Sequence, residues 1–195
     1  PAILESPTQS VEFEASSRRH NYQMDVFVAD DLSQLVVKQT AKFFNHTGET
    51  LSELKMIVEP NLVSSDFEIQ LLNWGNVEGI WIDDYQLDKD TLTIKLPESL
   101  LPSESVVIYF IYHYTLPDGE AAFGYSENQA TYLNWYPFFP TYENNEGWLI
   151  NPIHDVGERF VYPLSDYEVT IYFDETVFQV AGPSIGERDK GFVQF

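Results

Sequence analysis

Hydrophobic and polar residues alternate with a period of two along most of this chain. Tyr22, Met24, Val26 and Val28 share one face while Gln23 and Asp25 take the other, which predicts a half-buried strand. Leu35 to Phe44 predicts a second, longer strand, ended by the polar turn Asn45-His46-Thr47-Gly48. Leu54 to Val58 predicts a third, closed by Glu59-Pro60, and Phe67 to Leu72 a fourth. Tyr85 to Leu87 and Thr91 to Leu96 flank Asp88-Lys89-Asp90 as a hairpin, with Leu92, Ile94 and Leu96 on its buried face. Leu96 to Ser103 reads as a loop. Val106 to Tyr114 is apolar or aromatic on both parities apart from His113, which predicts a strand covered on both faces. Leu116-Pro117-Asp118-Gly119 supplies a turn.

Residues 137–157 carry Pro137, Pro140, Asn144, Asn145, Gly147 and Pro152, and read as a long ordered loop anchored by Trp148. Tyr167, Val169, Ile171 and Phe173 mark a late strand, with Val177 to Ala181 and Gly191 to Phe195 as two more. No stretch combines a helical period with caps, and no repeat or linker interrupts the chain. The pattern predicts one all-β domain over residues 11–195, an antiparallel β-sandwich or a curved saddle, after a loose lead-in over residues 1–10.

Composition agrees. Aromatic residues make up 15% of the 195 residues, and aromatics suit pleated sheet surfaces. The length suits one sizeable core. Charge narrows the partners: 31 Asp and Glu against 10 Lys and Arg give a net charge of −21. Such a surface repels phosphate backbones and anionic lipid headgroups, so nucleic acid is excluded as a partner. Cationic peptides and metal ions remain compatible with it.

With no Cys there is no disulfide, thiol nucleophile or Cys-based zinc site. The longest apolar run, Val106 to Ile111, is strand-sized, so this segment is not expected to insert in a membrane. The compartment stays open, with the cell envelope or an extracytoplasmic site favoured over the cytoplasm. Pro1 is no natural initiator, and the chain is expected to be an excised or processed piece of a larger protein whose final sheet could be cut short at Phe195. Asn45-His46-Thr47 also fits the N-glycosylation pattern.

Several segments together carry a family likeness. Tyr22-Gln-Met-Asp-Val-Phe-Val leads to Thr40-Ala-Lys-Phe-Phe-Asn-His-Thr and Leu51-Ser-Glu-Leu. Leu92-Thr-Ile-Lys-Leu-Pro and Leu100-Leu-Pro-Ser-Glu-Ser-Val-Val-Ile-Tyr-Phe follow. Then come Phe123-Gly-Tyr-Ser, Leu133-Asn-Trp-Tyr-Pro, Glu146-Gly-Trp and Asp166-Tyr-Glu-Val-Thr-Ile-Tyr-Phe. In this order they resemble the N-terminal β domain of the gluzincin-type, aminopeptidase N-like zinc aminopeptidases.

The resemblance implies a noncatalytic domain that packs on a downstream catalytic domain of the same polypeptide and walls its substrate cleft. In the family that partner carries His-Glu-x-x-His and a downstream Glu on zinc. Two His one helical turn apart share a face, and the Glu between them acts as base on the metal's water. These motifs are missing here, so no catalytic residue and no metal ligand is assigned. Zinc is expected only in the downstream domain.

The family's N-terminal domain also lends a Gln to hold the substrate α-amine. Asn134 stands at that place, one methylene shorter, and Pro137-Phe138-Phe139-Pro140 replaces an Arg that often follows. The departure bears on amine recognition and points to a divergent, bacterial branch. Asn134 and Glu143 are the candidate substrate-binding residues. Trp135, Tyr136, Phe138, Phe139 and Trp148 are the candidate interdomain interface, because an aromatic, Pro-rich loop is a preorganised contact surface.

Other constellations are weaker. His154, Asp155 and Glu158 are donors close in sequence, but the spacing matches no zinc pattern and suits a hydrogen-bonded loop. Asp83, Asp84, Asp88 and Asp90 lack the Gly and closing Glu of a calcium loop. Ser126, Ser165 and Ser184 have no nucleophile-elbow context. Gly75, Gly79, Gly182 and Gly186 form no phosphate cradle. Trp74, Trp81, Trp135, Tyr136 and Trp148 could form a sugar platform or a core. Two further classes therefore stay beside the accessory domain: a cell-surface carbohydrate-binding or adhesion module, and a scaffold domain of an inactive pseudoenzyme.

Overall fold

A computed structural model of the chain describes residues 18–64, 66–119, 123–126, 129–152, 161–174, 180–182, 186–189 and 191–195. The lead-in, the His154–Asp155–Glu158 group, Ser184 and most of the strand expected at Val177 to Ala181 lie outside them. The strands are β1 (His20–Val28), β2 (Gln34–Phe44), β3 (Leu51–Ile57), β4 (Glu68–Trp74), β5 (Ile80–Trp81), β6 (Tyr85–Asp88), β7 (Thr91–Leu100) and β8 (Ser105–Thr115). After them come β9 (Phe123–Ser126), β10 (Gln129–Tyr132), β11 (Tyr142–Glu143), β12 (Gly147–Trp148), β13 (Ser165–Tyr172), β14 (Glu187–Asp189) and β15 (Phe192–Gln194). One helical turn, α1 (Pro60–Val63), begins at the proline that closes β3, where a missing N–H costs nothing.

The domain is all-β, as the alternation predicts. An eight-stranded sheet runs β14-β15-β13-β1-β2-β8-β4-β5, and a three-stranded sheet runs β3-β7-β6. Tyr22, Met24, Leu35, Val37, Phe110 and Tyr112 from the large sheet share one core with Leu54, Met56, Leu92 and Ile94 from the small one. The expectation of an antiparallel domain holds for every strand ladder among the described residues except β1–β13. That pair is parallel, from His20↔Ser165 to Phe27↔Tyr172. Parallel pairing needs a long connection, and the whole span between these strands supplies it.

Two local expectations are corrected. β7 does not stop at Leu96 but continues to Leu100 through Pro97. Its register against β3 shifts between Leu51 and Glu53, and such an irregularity accommodates a proline that has no N–H to give the ladder. β8 is not covered on both faces. Ile108, Phe110, Tyr112 and Tyr114 are buried, while the opposite face is half-buried.

The segment Trp135 to Phe139 is irregular yet lies in the core, so its backbone polar groups need partners. Tyr114 Oη donates to the Trp135 carbonyl at 2.9 Å. Gln39 Nε2 donates to the Pro137 carbonyl at 2.8 Å, and Gln39 Oε1 accepts Tyr112 Oη at 2.9 Å. Phe138 bridges Ile57 with two backbone hydrogen bonds of 2.8 and 3.1 Å. The Phe139 N–H donates to Tyr22 Oη at 2.9 Å. Burial pushes the Tyr22, Tyr112 and Tyr114 hydroxyls well above the ordinary phenol range, so they serve as neutral hydrogen-bonding groups.

Candidate functional site

An open cleft of about 490 Å³ lies where β1 begins and β2 ends. His20 sits on the buried parity of β1, and its ring stacks on Phe43 with centroids 4.8 Å apart. The Phe44 N–H donates to His20 Nδ1 at 3.3 Å. Beyond Phe44 the chain turns sharply around Asn45. That side chain is buried, with Nδ2 donating to the Leu100 and Glu49 carbonyls and Oδ1 accepting from Thr47 N and Oγ1. Asn45 is thus fully engaged inside the fold, which argues against the glycosylation reading. The turn puts His46 at the cleft, 5.7 Å from His20 between ring centroids.

The opposite wall is Pro140 to Asn144 with Pro163. β11 and β12 form a small hairpin there, pairing Tyr142 with Trp148 and Glu143 with Gly147. Gly147 and Asn145 both have φ of 80°, a left-handed backbone that Gly and Asn tolerate best. Tyr142 Oη donates to Glu49 Oε2 at 2.8 Å and ties the two walls together.

Burial, with a smaller contribution from His46, lowers the His20 imidazole to about 4. Burial and Arg18 also lower His46. Both rings are therefore neutral at neutral pH. The hydrogen bond to Glu49, followed by burial, raises the Tyr142 hydroxyl.

The donor set does not suit a metal. Among the described residues no three His, Asp or Glu side chains come together. His20 Nδ1 accepts a backbone N–H, so in the neutral ring Nε2 carries the proton. A metal-binding imidazole has the reverse arrangement, donating from one nitrogen while the other ligates.

The candidate residues from the sequence are scattered. Glu143 is exposed and lines the cleft. Asn134 is half-buried at a φ of 51° and does not line it. Trp135 and Tyr136 are half-buried and packed edge to face, with centroids 5.2 Å apart. Trp148 leans on Phe43 behind the cleft, with centroids 5.7 Å apart. Phe138 and Phe139 belong to the domain's own core and present no surface to a partner. Of the five residues proposed for a sugar platform, only Trp81 is among the exposed large hydrophobics. In the acidic knot Asp90 is buried, and Asp84 pairs with Lys95 at 3.3 Å. His20, His46 and Tyr142 were not singled out by sequence reasoning, although His20 stands on the buried parity of its strand.

No family model matches this chain, and no curated protein matches it. Among solved structures it is similar to an M1 zinc metallopeptidase of Deinococcus radiodurans, a mutant bound to a Tyr-Ser-Ala substrate, at 14% identity and a TM-score of 0.49. A second structure of an M1 zinc metallopeptidase from that organism gives 14% identity and a TM-score of 0.47. A two-domain M1 zinc metallopeptidase mutant bound to L-arginine gives the same two figures, 14% and 0.47. Each match covers 91% of this chain and 38% of the other, so the chain spans well under half the length of those proteins.

Proposed function

We propose that this chain is a noncatalytic β domain of a zinc aminopeptidase-like protein, which supports a catalytic domain of the same polypeptide and walls its substrate cleft. The order of segments from Tyr22 to Phe173 motivates the family. The observation that carries the docking role is an exposed apolar strip over residues 161–167. Val161 and Leu164 are 71% and 72% exposed, with Tyr162 and Tyr167 beside them at 41% and 44%. The strip rests on the aromatic segment: Tyr162 packs on Phe138 at 4.7 Å and Tyr167 on Tyr136 at 5.8 Å between centroids. Several exposed apolar side chains grouped along one short segment support an interaction site there. The docking face in this reading is thus displaced from Trp135–Trp148 to the residues that cover that segment.

The test is the sequence of the native gene product on the carboxyl side of Phe195, followed by its zinc content and its hydrolysis of amino-acid anilides. His-Glu-x-x-His with a downstream Glu, bound zinc and turnover support the proposal. A native polypeptide without those ligands sinks it. Ligands present without zinc or turnover would make the domain the scaffold of an inactive relative.

A further inference from the structure

We propose that the open edge of β6 takes up an extended basic segment of another protein, which joins the three-stranded sheet as an added antiparallel strand. β6 ends that sheet, with β7 as its neighbour on one side only. The Lys95 N–H donates to the Asp84 carbonyl at 3.1 Å, so Asp84 turns its backbone groups toward β7, and Gln86 and Asp88 do the same by alternation. Tyr85 and Leu87 therefore turn theirs outward. Among the described residues, no backbone partner meets them there. The register from Tyr85 to Asp88 runs without a bulge, and neither Pro nor Lys stands in the strand, so three common guards of a sheet edge are missing.

The side chains choose the occupant. Tyr85 and Leu87 are half-buried and packed against the core, so residues opposite them on an added strand extend an apolar face. Asp84, Gln86 and Asp88 are exposed on the other face. Residues opposite the two carboxylates are favoured as cations, since opposite charges across a ladder attract. Asp84 already meets Lys95 at 3.3 Å, but these side chains are 65% and 66% exposed, and so open a pair leaves the carboxylate accessible to a second cation. Lys89 stands in the hairpin turn, past the end of β6. The matching segment thus reads basic, apolar, polar, apolar, basic. A second copy of this chain is a poor fit. Two β6 edges paired antiparallel about Gln86 set Asp84 against Asp88 at both ends, and like charges directly opposite are destabilising.

The probe is the blocked peptide Lys-Val-Thr-Val-Lys, followed by NMR on the whole chain through the Tyr85 and Leu87 amides. It should shift both amides and slow their exchange with solvent. The same peptide N-methylated at both valines keeps every side chain but loses the donors that face the edge, and should bind at least about tenfold more weakly. Glu-Val-Thr-Val-Glu should also bind about tenfold more weakly, because two cross-strand pairs change from attraction to repulsion. Asp88→Lys should narrow the gap between the basic and acidic peptides, and Asp88 is exposed, so the core is left intact. Equal binding of the N-methylated peptide would overturn strand addition. So would an acidic peptide that binds as well as the basic one, no binding at millimolar peptide, or a dimer of the chain that protects the same amides without peptide.

Discussion

The Phe139 N–H donates to the hydroxyl of Tyr22, 2.9 Å away and 117 residues earlier in the chain. This one bond joins the first strand to an irregular segment that has no ladder of its own. Tyr22→Phe keeps the ring and deletes the acceptor, leaving a buried N–H without a partner. It should cost about 1–3 kcal/mol in urea unfolding with little change in m-value.

Gln39 makes the same argument at the middle of the segment. Gln39→Met fills the space but orphans the Tyr112 hydroxyl and the Pro137 carbonyl at once. We expect a loss of about 2–4 kcal/mol. Adding Tyr112→Phe should cost less than the sum of the two single changes, because both break the same contact.

His20 gives stability a pH dependence. Its imidazole falls from 6.5 unfolded to about 4 folded, so between those values the unfolded chain binds more protons. The stabilisation is complete above the unfolded value, declines as the pH falls toward about 4, and declines no further below it. The window is worth about 3 kcal/mol. His20→Gln, which keeps an acceptor for the Phe44 N–H, should flatten the unfolding free energy across it.

Asp66 acts lower on the scale. Burial raises its carboxyl, but hydrogen bonds from Ser64 and Thr115, with His113 nearby, outweigh this and bring it down to about 2. Its contribution is therefore present above the unfolded value of 3.8 and lost as the pH falls through about 2. Asp66→Asn should lower the Tm at neutral pH by a small amount, given its exposed setting, and the gap should close at the acid end.

Alternation made β1 and β13 legible, because a period of two is written in the residues themselves, and β2 and β8 were legible as runs rich in apolar and aromatic residues bounded by turns. Pairing is not written there. Nothing in Tyr167, Val169 and Ile171 says that they lie parallel to Tyr22, Met24 and Val26. The Pro-rich run Pro137 to Pro140 resembles a surface loop because it lacks alternation. It is buried because Gln39, Ile57 and Tyr22, all distant in sequence, satisfy its backbone. The cleft was hidden for a related reason: its walls come from a strand start, a turn and a late hairpin, and only Glu143 of its polar lining was marked in advance.

The parallel pairing of β1 with β13 also sets a clock. β1 sits inside the large sheet, yet one of its two neighbours is made only when Ser165 to Tyr172 have been synthesised. At roughly 5–20 residues per second, that leaves one edge of β1 unpaired for roughly 7–30 s on the ribosome. During that interval a row of backbone groups that ends in the interior is available to any other strand. Newly made copies are thus most exposed to mispairing before β13 emerges, and high contact order makes the closing step slow even afterwards.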